Sequence, residues 1–398
     1  MNIFIFVLLL FALAALLRLD FFFTLFYLFG AVFVLSRLWA GQTFKRLSVT
    51  RKMASRAFPG EQITVILTLK NLSYLPVPWL TIHETLPLNL AWPTYYQEAT
   101  FLGSKASQDY QYTLTTQRRG YYLVGPLLLE TGDLLGFAPR FNSQLEPAHF
   151  IVYPKVVPLT RLGLPTHSPQ VVLTTQTPLF QDPSRLTGVR EYVPGDNPRH
   201  IHWPATATTG QVLVKQFQPA IARDSVIFLD LTRSNYSQRP IQASKATELA
   251  IVVAASLANH IINVEQLSVG LSTTGIDPLI NSQQEFQLPP QRGGGHLMQI
   301  LEILARIQNI ETGQFEAKLR SATPHLAWGT TIIVISGSES DELLETLLLL
   351  KQAGFPVSLV LVQPAPYAYL QPKQAQALGL MVYRIRYEED IETWTPLA

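Results

Sequence analysis

The densest run of chemistry-bearing side chains lies between Asp182 and Trp203. It holds Arg185, Arg190, Glu191, Tyr192, Asp196, Arg199, His200 and His202, with Pro194-Gly195-Asp196 as a turn. His200 and His202 are two apart, so on a strand they share a face. With Asp196 they could ligate a metal, zinc for example, and support a hydrolytic reaction. The other reading of the same residues is a polar network, with Asp196 or Glu191 paired to Arg185, Arg190 and Arg199 over a packed Trp203. The chain contains no cysteine, which excludes disulfides, thiol catalysis, cysteine-ligated zinc and iron–sulfur clusters. It carries no Gly-x-Ser-x-Gly, no His-Glu-x-x-His and no recognisable kinase or dinucleotide motif. Gly293-Gly294-Gly295 precedes a helix, yet no Gly-Lys-Ser/Thr follows, so it reads as a strand-to-helix turn rather than a nucleotide cradle.

The elements that must position these groups follow from periodicity. After residue 222 the pattern alternates strand and helix. Apolar strands are expected at Val226–Asp230, Leu267–Leu271, Thr331–Ile335, Val357–Val362 and Met381–Ile385. Helical spacing joins Ala246, Leu249, Val253 and Leu257, and again Leu297, Ile300, Leu301 and Leu304. Ser340 is the expected N-cap of a further helix that Gly354 closes. This alternation predicts a doubly wound, mostly parallel sheet covered by helices on both faces. Ligands of such sheets bind beyond the carboxyl ends of the strands, where Asp230-Leu231-Thr232-Arg233-Ser234 stands.

Two family resemblances bear on these segments. Arg190-x-Tyr192, Pro194-Gly195-Asp196, Arg199 and Ile201-His202-Trp203 resemble the signature of the bacterial family called domain of unknown function 58. Arg119-Gly120-Tyr121, Gly125-Pro126, Gly136-Phe137 and Val152-Tyr153-Pro154 extend that likeness upstream. The Asp230 loop looks like the Asp-x-Ser-x-Ser loop of von Willebrand factor type A domains. That resemblance implies a Mg²⁺ site built on Asp230, Thr232 and Ser234, since Mg²⁺ takes hard oxygen ligands in an octahedron. Two further ligand positions depart from the pattern: His296 stands where a threonine is expected and Ser336 where an aspartate is expected. A degenerate site, with Asp230 hydrogen-bonding its own loop, is the competing expectation.

The first forty residues are of another kind, for 33 of them are hydrophobic. Ile3–Leu17 and Phe21–Trp39 are apolar runs of about 22 and 28 Å as helices, separated by Arg18-Leu19-Asp20. Charges at that position favour a transmembrane hairpin over one continuous helix. Met1-Asn2-Ile3-Phe4 lacks the basic start of a signal peptide. Arg37, Lys45, Arg46, Arg51, Lys52 and Arg56 follow before any acidic residue, so the positive-inside rule expects the bulk of the chain in the cytosol. The same cluster could touch anionic headgroups. Between the anchor and the α/β region, Ile63, Val65, Leu67 and Leu69 alternate with polar residues, as do Tyr110, Tyr112 and Leu114. Proline- and glycine-rich turns between such strands predict a small β-sandwich.

The expected organisation is a transmembrane helical hairpin at 1–40, a β-sandwich at 41–157, a linker and Arg/His/Trp segment at 158–222, and a von Willebrand A-like α/β domain at 223–398. A net charge of +2 gives no reason to expect nucleic acid. Kinship implies a membrane-anchored cytosolic scaffold or adaptor without catalytic activity of its own, working with a MoxR-type AAA+ ATPase in the assembly of envelope proteins. A Mg²⁺-dependent adhesion-type module and a metal-dependent hydrolase using Asp196, His200 and His202 are the alternatives.

Overall fold

A computed structural model describes residues 11–12, 16, 20–132, 141–159, 181–192, 201–219, 224–237, 239–327, 329–363 and 380–394. The chain forms two compact units. One comprises Met1–Lys155, Asp277–Ser282 and Leu301–Ile307, and the other Val156–Ile276, Gln283–Ile300 and Gln308–Ala398.

The first unit opens with helix α1, Asp20–Lys45, 26 residues long and so about 39 Å. None of its most apolar 18-residue stretch is buried. Its buried residues, Ala40 and Thr43, lie in its last turns. The rings of Phe11 and Phe26 lie 5.1 Å apart. On one straight helix, residues fifteen positions apart stand about 22 Å apart, so these two do not lie on one.

Ten strands follow: β1 (Leu47–Lys52), β2 (Arg56–Ala57), β3 (Gln62–Asn71), β4 (Val77–Thr85), β5 (Tyr95–Leu102), β6 (Ser107–Thr115), β7 (Gly120–Val124), β8 (Leu127–Thr131), β9 (Phe141–Leu145) and β10 (Ala148–Val152). They form sheets ordered β1-β3-β6, β2-β10-β7 and β5-β4-β8-β9. The alternation of β3 has its physical outcome here, because Val65, Leu67 and Leu69 are wholly buried while Thr68 and Lys70 are not. Leu80 and Ile82 of β4, Leu127 and Leu129 of β8 and Phe150 of β10 complete a single apolar core shared by the three sheets.

One charged cluster interrupts that core. Arg51 and Glu84 form an ion pair with side chains 5% and 0% exposed. The Tyr112 hydroxyl donates to Glu84 Oε2 at 2.7 Å, and Arg51 Nη1 donates to the Glu146 carbonyl at 3.0 Å. Burial, and then the neighbouring Glu84 carboxylate, push the Tyr112 hydroxyl far above its ordinary pKa, so it remains a donor. Glu84→Ala leaves a buried guanidinium without its counter-charge and a buried phenol without an acceptor. The loss should be about 3–5 kcal/mol, read as a lowered unfolding midpoint in detergent. Full stability in that variant would show that the pair is not holding the sandwich.

In the second unit, β11 (Gln181–Glu191), α2 (Trp203–Thr209) and β12 (Leu213–Pro219) form an antiparallel ribbon with a short helix between its strands. Then come β13 (Ser225–Leu229), α3 (Pro240–Asn259, continued by a wide turn His260–Val264), β14 (Val269–Asp277) and β15 (Ser282–Gln291). Next are α4 (Gly294–Arg306), α5 (Phe315–Ala322), β16 (Thr331–Ser336), α6 (Asp341–Gln352), β17 (Val357–Val362), β18 (Met381–Ile385) and α7 (Glu389–Thr393). The sheet order is β15-β14-β13-β16-β17-β18. Strands β14, β13, β16, β17 and β18 pair in parallel. Every residue of β13, β16 and β17 is buried, as parallel strands covered on both faces require. Helix α3 is as apolar as a membrane span, yet 72% of its most apolar stretch is buried, so it is a core helix and differs from α1.

Strand β15 is absent from the sequence-based expectation. Its burial alternates at every residue and it sits at the sheet edge, the position at which a strand tolerates prolines such as Pro289 and Pro290. Only four residues join it to β14, so it must run antiparallel.

Candidate functional site

The strand order reverses around β13, with β14 on one side and β16 on the other. In an open α/β sheet the crevice at such a switch point is the natural place for a site. Asp230 follows the last residue of β13, and Ser336 ends β16. Asp230 is 1% exposed, and the surrounding loops satisfy its carboxylate. Oδ1 accepts from the Thr232 backbone N–H at 2.9 Å, and Oδ2 accepts from Asn235 Nδ2 at 2.8 Å and from the Ser336 hydroxyl at 2.8 Å. The Thr232 side chain is a further hydrogen-bond partner. Burial raises the Asp230 pKa above the ordinary carboxylate range, while the bonds from Asn235, Thr232 and Ser336 oppose that rise.

The loop is closed by two tight packings. The Tyr236 hydroxyl donates to the Asp230 carbonyl at 2.5 Å, and burial holds that phenol well above its ordinary pKa. Gly337 makes room for its ring, since a Cβ there would stand 2.4 Å from Tyr236 Cδ1 and 2.9 Å from the Asn235 carbonyl oxygen. Gly313 does the same for Thr232, whose Oγ1 would lie 2.6 Å from a Cβ at that position. Beside Asp230 is a cavity of about 20 Å³, lined by Thr232, Thr274, Gly313 and Lys318 among others. That is room for about one water molecule. Lys318 Nζ bonds Thr274 Oγ1 at 2.6 Å.

These residues do not fit a Mg²⁺ ion in this arrangement. A carboxylate offers about four lone-pair positions, and the hydrogen-bond donors of three residues already occupy Asp230. Ser234 is exposed rather than turned in with Thr232 and Asp230. Among the described residues no three histidine, aspartate or glutamate side chains gather into a group that could hold a metal.

Of the two departing positions, Ser336 does meet Asp230, as a donor. His296 does not. Its Nε2 bonds the Val269 carbonyl at 2.8 Å, and Val269 pairs with Ser225 at the amino end of β13. It therefore lies a strand length, roughly 16 Å, from Asp230, which corrects its expected place in the site. Asn235, Tyr236, Gly313 and Gly337 were missed. The Asp-to-Asn spacing of five carries no periodic signal, and the glycines matter only through tertiary packing.

The Arg/His/Trp segment is partly described. Gly195, Asp196, Arg199 and His200 lie outside the described residues, so the metal set built on Asp196 and His200 is not described. Arg190 lies on β11, opposite Val214. His202 is the N-cap of α2: its Nδ1 accepts from the Ala205 N–H at 3.1 Å, and its own N–H donates to the Leu213 carbonyl at 2.8 Å. Trp203 is 68% exposed, a correction to the expectation that it packs beneath a polar network. Tyr192 is also exposed, with its N–H bonded to the Val212 carbonyl at 2.9 Å.

A parallel-rich α/β unit with a hydrogen-bonded carboxylate at its switch point, preceded by a signature ribbon, defines the class. Residues 188–345 match the family described as Protein of unknown function DUF58. Over those residues the chain is similar to that family. It is similar to the uncharacterized protein YeaD of Bacillus subtilis, 24% identical over 288 residues, 71% of this chain and 67% of that protein. Among solved structures it is matched to the CARDB domain of the PF1109 protein of Pyrococcus furiosus (18% identity, 27% of this chain, 91% of that chain, TM-score 0.21). A second match is to the zinc α2-glycoprotein complex with prolactin-inducible protein from human seminal plasma (12%, 26%, 92%, 0.21). TM-scores this low carry no structural argument.

Two outcomes follow from the geometry. Gly337→Ala should destabilise the α/β unit by about 1–3 kcal/mol through overpacking against Tyr236, seen as a lower denaturation midpoint; an unchanged midpoint would show the ring can shift freely. Because the folded state holds the Asp230 proton more tightly than the unfolded state, wild type should gain stability relative to Asp230→Asn as pH falls through the raised pKa. The gain should level off below the unfolded carboxylate value of about 3.9. Denaturation of both proteins between neutral and acidic pH checks this, and a difference that grows with rising pH instead would contradict it.

Proposed function

We propose that the protein is a membrane-anchored scaffold or adaptor whose β11–α2–β12 ribbon presents a protein-binding surface. One observation carries this reading. Val189, Tyr192, Trp203 and Val212 are 41%, 37%, 68% and 46% exposed on a single ribbon. Apolar and aromatic side chains grouped on an exposed element are what contact surfaces are made of. The neighbouring bonds fix the backbone that carries them: Tyr192 to Val212, His202 to Leu213, and the Leu213 N–H to Thr206 Oγ1 at 3.0 Å.

The anchor is the exposed apolar helix α1, and the Phe11–Phe26 contact supports a hairpin. The basic residues after it support a cytosolic location for the bulk. Arg51 and Lys52 count in that argument even though Arg51 ends up buried, since orientation is set while the chain is being inserted. The switch-point carboxylate and the sheet order support a von Willebrand A-like reading of the second unit. In that reading Asp230 acts through hydrogen bonds, and the water-sized cavity beside it favours binding by the surface over turnover of a substrate. The saturated carboxylate weighs against a Mg²⁺-dependent adhesion module, and a capping His202 weighs against a hydrolase.

The partner implied by kinship is a MoxR-type AAA+ ATPase. Purification of the full chain from detergent-solubilised membranes with a non-hydrolysable nucleotide should retain such an ATPase, and Trp203→Ala should lose it while the protein stays folded. If no AAA+ ATPase accompanies the wild type, the partner assignment falls. If the ATPase is retained equally by Trp203→Ala, the ribbon is not its contact.

A further inference from the structure

A second feature of the first unit is hydrogen-bonded to the carboxyl-terminal end of α1. The loop between β3 and β4 exposes Leu72 and Tyr74 at 61% and 71%, yet its backbone is firmly held. Asn71 Nδ2 donates to the carbonyls of Leu75 and Gly103, both at 2.8 Å, and Asn71 Oδ1 accepts from the Ser73 N–H at 2.9 Å. The Leu72 N–H donates to the Arg46 carbonyl at 2.9 Å, and the Lys105 N–H donates to the Ser73 carbonyl at 3.1 Å. Lys105 places Nζ 3.9 Å over the Tyr74 ring, a cation–π contact that keeps the ring extended. This is a well-bonded mount for side chains that remain mostly exposed.

Two bonds set the level of the loop along α1, that of Leu72 to Arg46 and one made by Trp39. Trp39 Nε1 donates to the Pro76 carbonyl at 2.9 Å. Trp39 stands two residues after Arg37, the first charge beyond Asp20, and two residues of helix are about 3 Å. Asp20 to Arg37 spans about 26 Å, close to a hydrocarbon core of ~30 Å. The Pro76 end of the loop therefore lies near the level where α1 leaves the apolar layer, and its Leu72 end, bonded to the Arg46 carbonyl, lies beside the basic end of the helix. Tyrosine and tryptophan favour that interface, and Lys45, Arg46 and Lys105 supply charge complementary to anionic headgroups there.

We propose that the β3–β4 loop, through Leu72 and Tyr74 with Lys105, is a second membrane contact that seats this end of the sandwich on the bilayer interface. The proposal rests on the reading of α1 as the membrane anchor. The opposite end of the sandwich supplies a control. Val77 pairs with Leu102 at the loop end of β4, and Thr85 pairs with Tyr95 at the other end, roughly 26 Å away. Trp92, 85% exposed, lies in the connection beyond that far end.

The absence of cysteine makes the test clean. Leu28→Cys, Leu72→Cys, Tyr74→Cys and Trp92→Cys are each labelled with an environment-sensitive fluorophore in the full chain. The labelled proteins are reconstituted in phosphatidylcholine–phosphatidylglycerol vesicles holding nitroxide lipids at a shallow or a deep position. The Leu28 probe should lose fluorescence to the deep quencher. The Leu72 and Tyr74 probes should lose it to the shallow quencher, and the Trp92 probe to neither. Leu72→Cys leaves the Tyr74–Lys105 pair intact, so it reports even if Tyr74→Cys disturbs the loop. Deep quenching at Leu28 with no quenching at Leu72 overturns the proposal and leaves the anchor standing. No quenching at Leu28 removes the anchor reading, and the proposal with it.

Discussion

A carboxylate buried at the edge of a parallel sheet is the constraint on which the second unit turns. Asp230 is removed from water, and among the described residues no cation forms an ion pair with it. Such a group is tolerated only if every lone pair finds a donor or if it takes up a proton. Both tendencies are visible: burial raises its pKa, and Thr232, Asn235 and Ser336 oppose the rise. Meeting that demand fixes the turn after β13, orders Asn235 and Tyr236, and requires glycine at 337 so that the ring can close over the strand end. The loops at the switch point are thus shaped by the needs of one ionisable group. The first unit solves the corresponding problem differently, with an ion pair and a phenol enclosed in an apolar sandwich.

Much of this architecture was legible in the sequence because it follows from period and apolarity. Alternation in β3 predicted a half-buried strand, and the uninterrupted apolar runs of β13, β16 and β17 predicted strands covered on both faces. The carboxyl-edge position of Asp230 followed from the same pattern. What was not legible depends on contacts between distant residues. Asn235 and Ser336, far apart in the chain, meet at Asp230, and no local rule marks Gly337 as the residue that admits Tyr236.

The misplacement of His296 has a more specific cause. If β14 led directly into helix α4, Gly293–Gly295 would leave the sheet at its carboxyl edge, beside Asp230. Strand β15 intervenes and runs back antiparallel, so the glycine turn emerges at the amino edge and His296 bonds Val269. The omission arose because Ser282–Gln291 alternates polar residues with few branched ones and ends in two prolines, a pattern that strand propensity scores poorly and an edge position permits. A single unrecognised edge strand moves the loop that follows it to the opposite side of the sheet.

Ser336 then acquires a meaning that resemblance alone did not supply. Asp230 Oδ2 and Ser336 Oγ are 2.8 Å apart. A carboxylate at position 336 would set two like charges within hydrogen-bond distance in a buried crevice. Such a pair is stable only with a cation between its members or a proton shared by them. A hydroxyl removes that requirement, because it donates its own proton to Asp230. The same substitution lowers the negative charge available to hold a divalent ion, and Asn235 fills the other approach to Oδ2 with a second neutral donor. The loop can then hold its shape whatever the local metal concentration. The hydrogen bond supplied by Ser336 does the work that, with a second acid in its place, would fall to an ion.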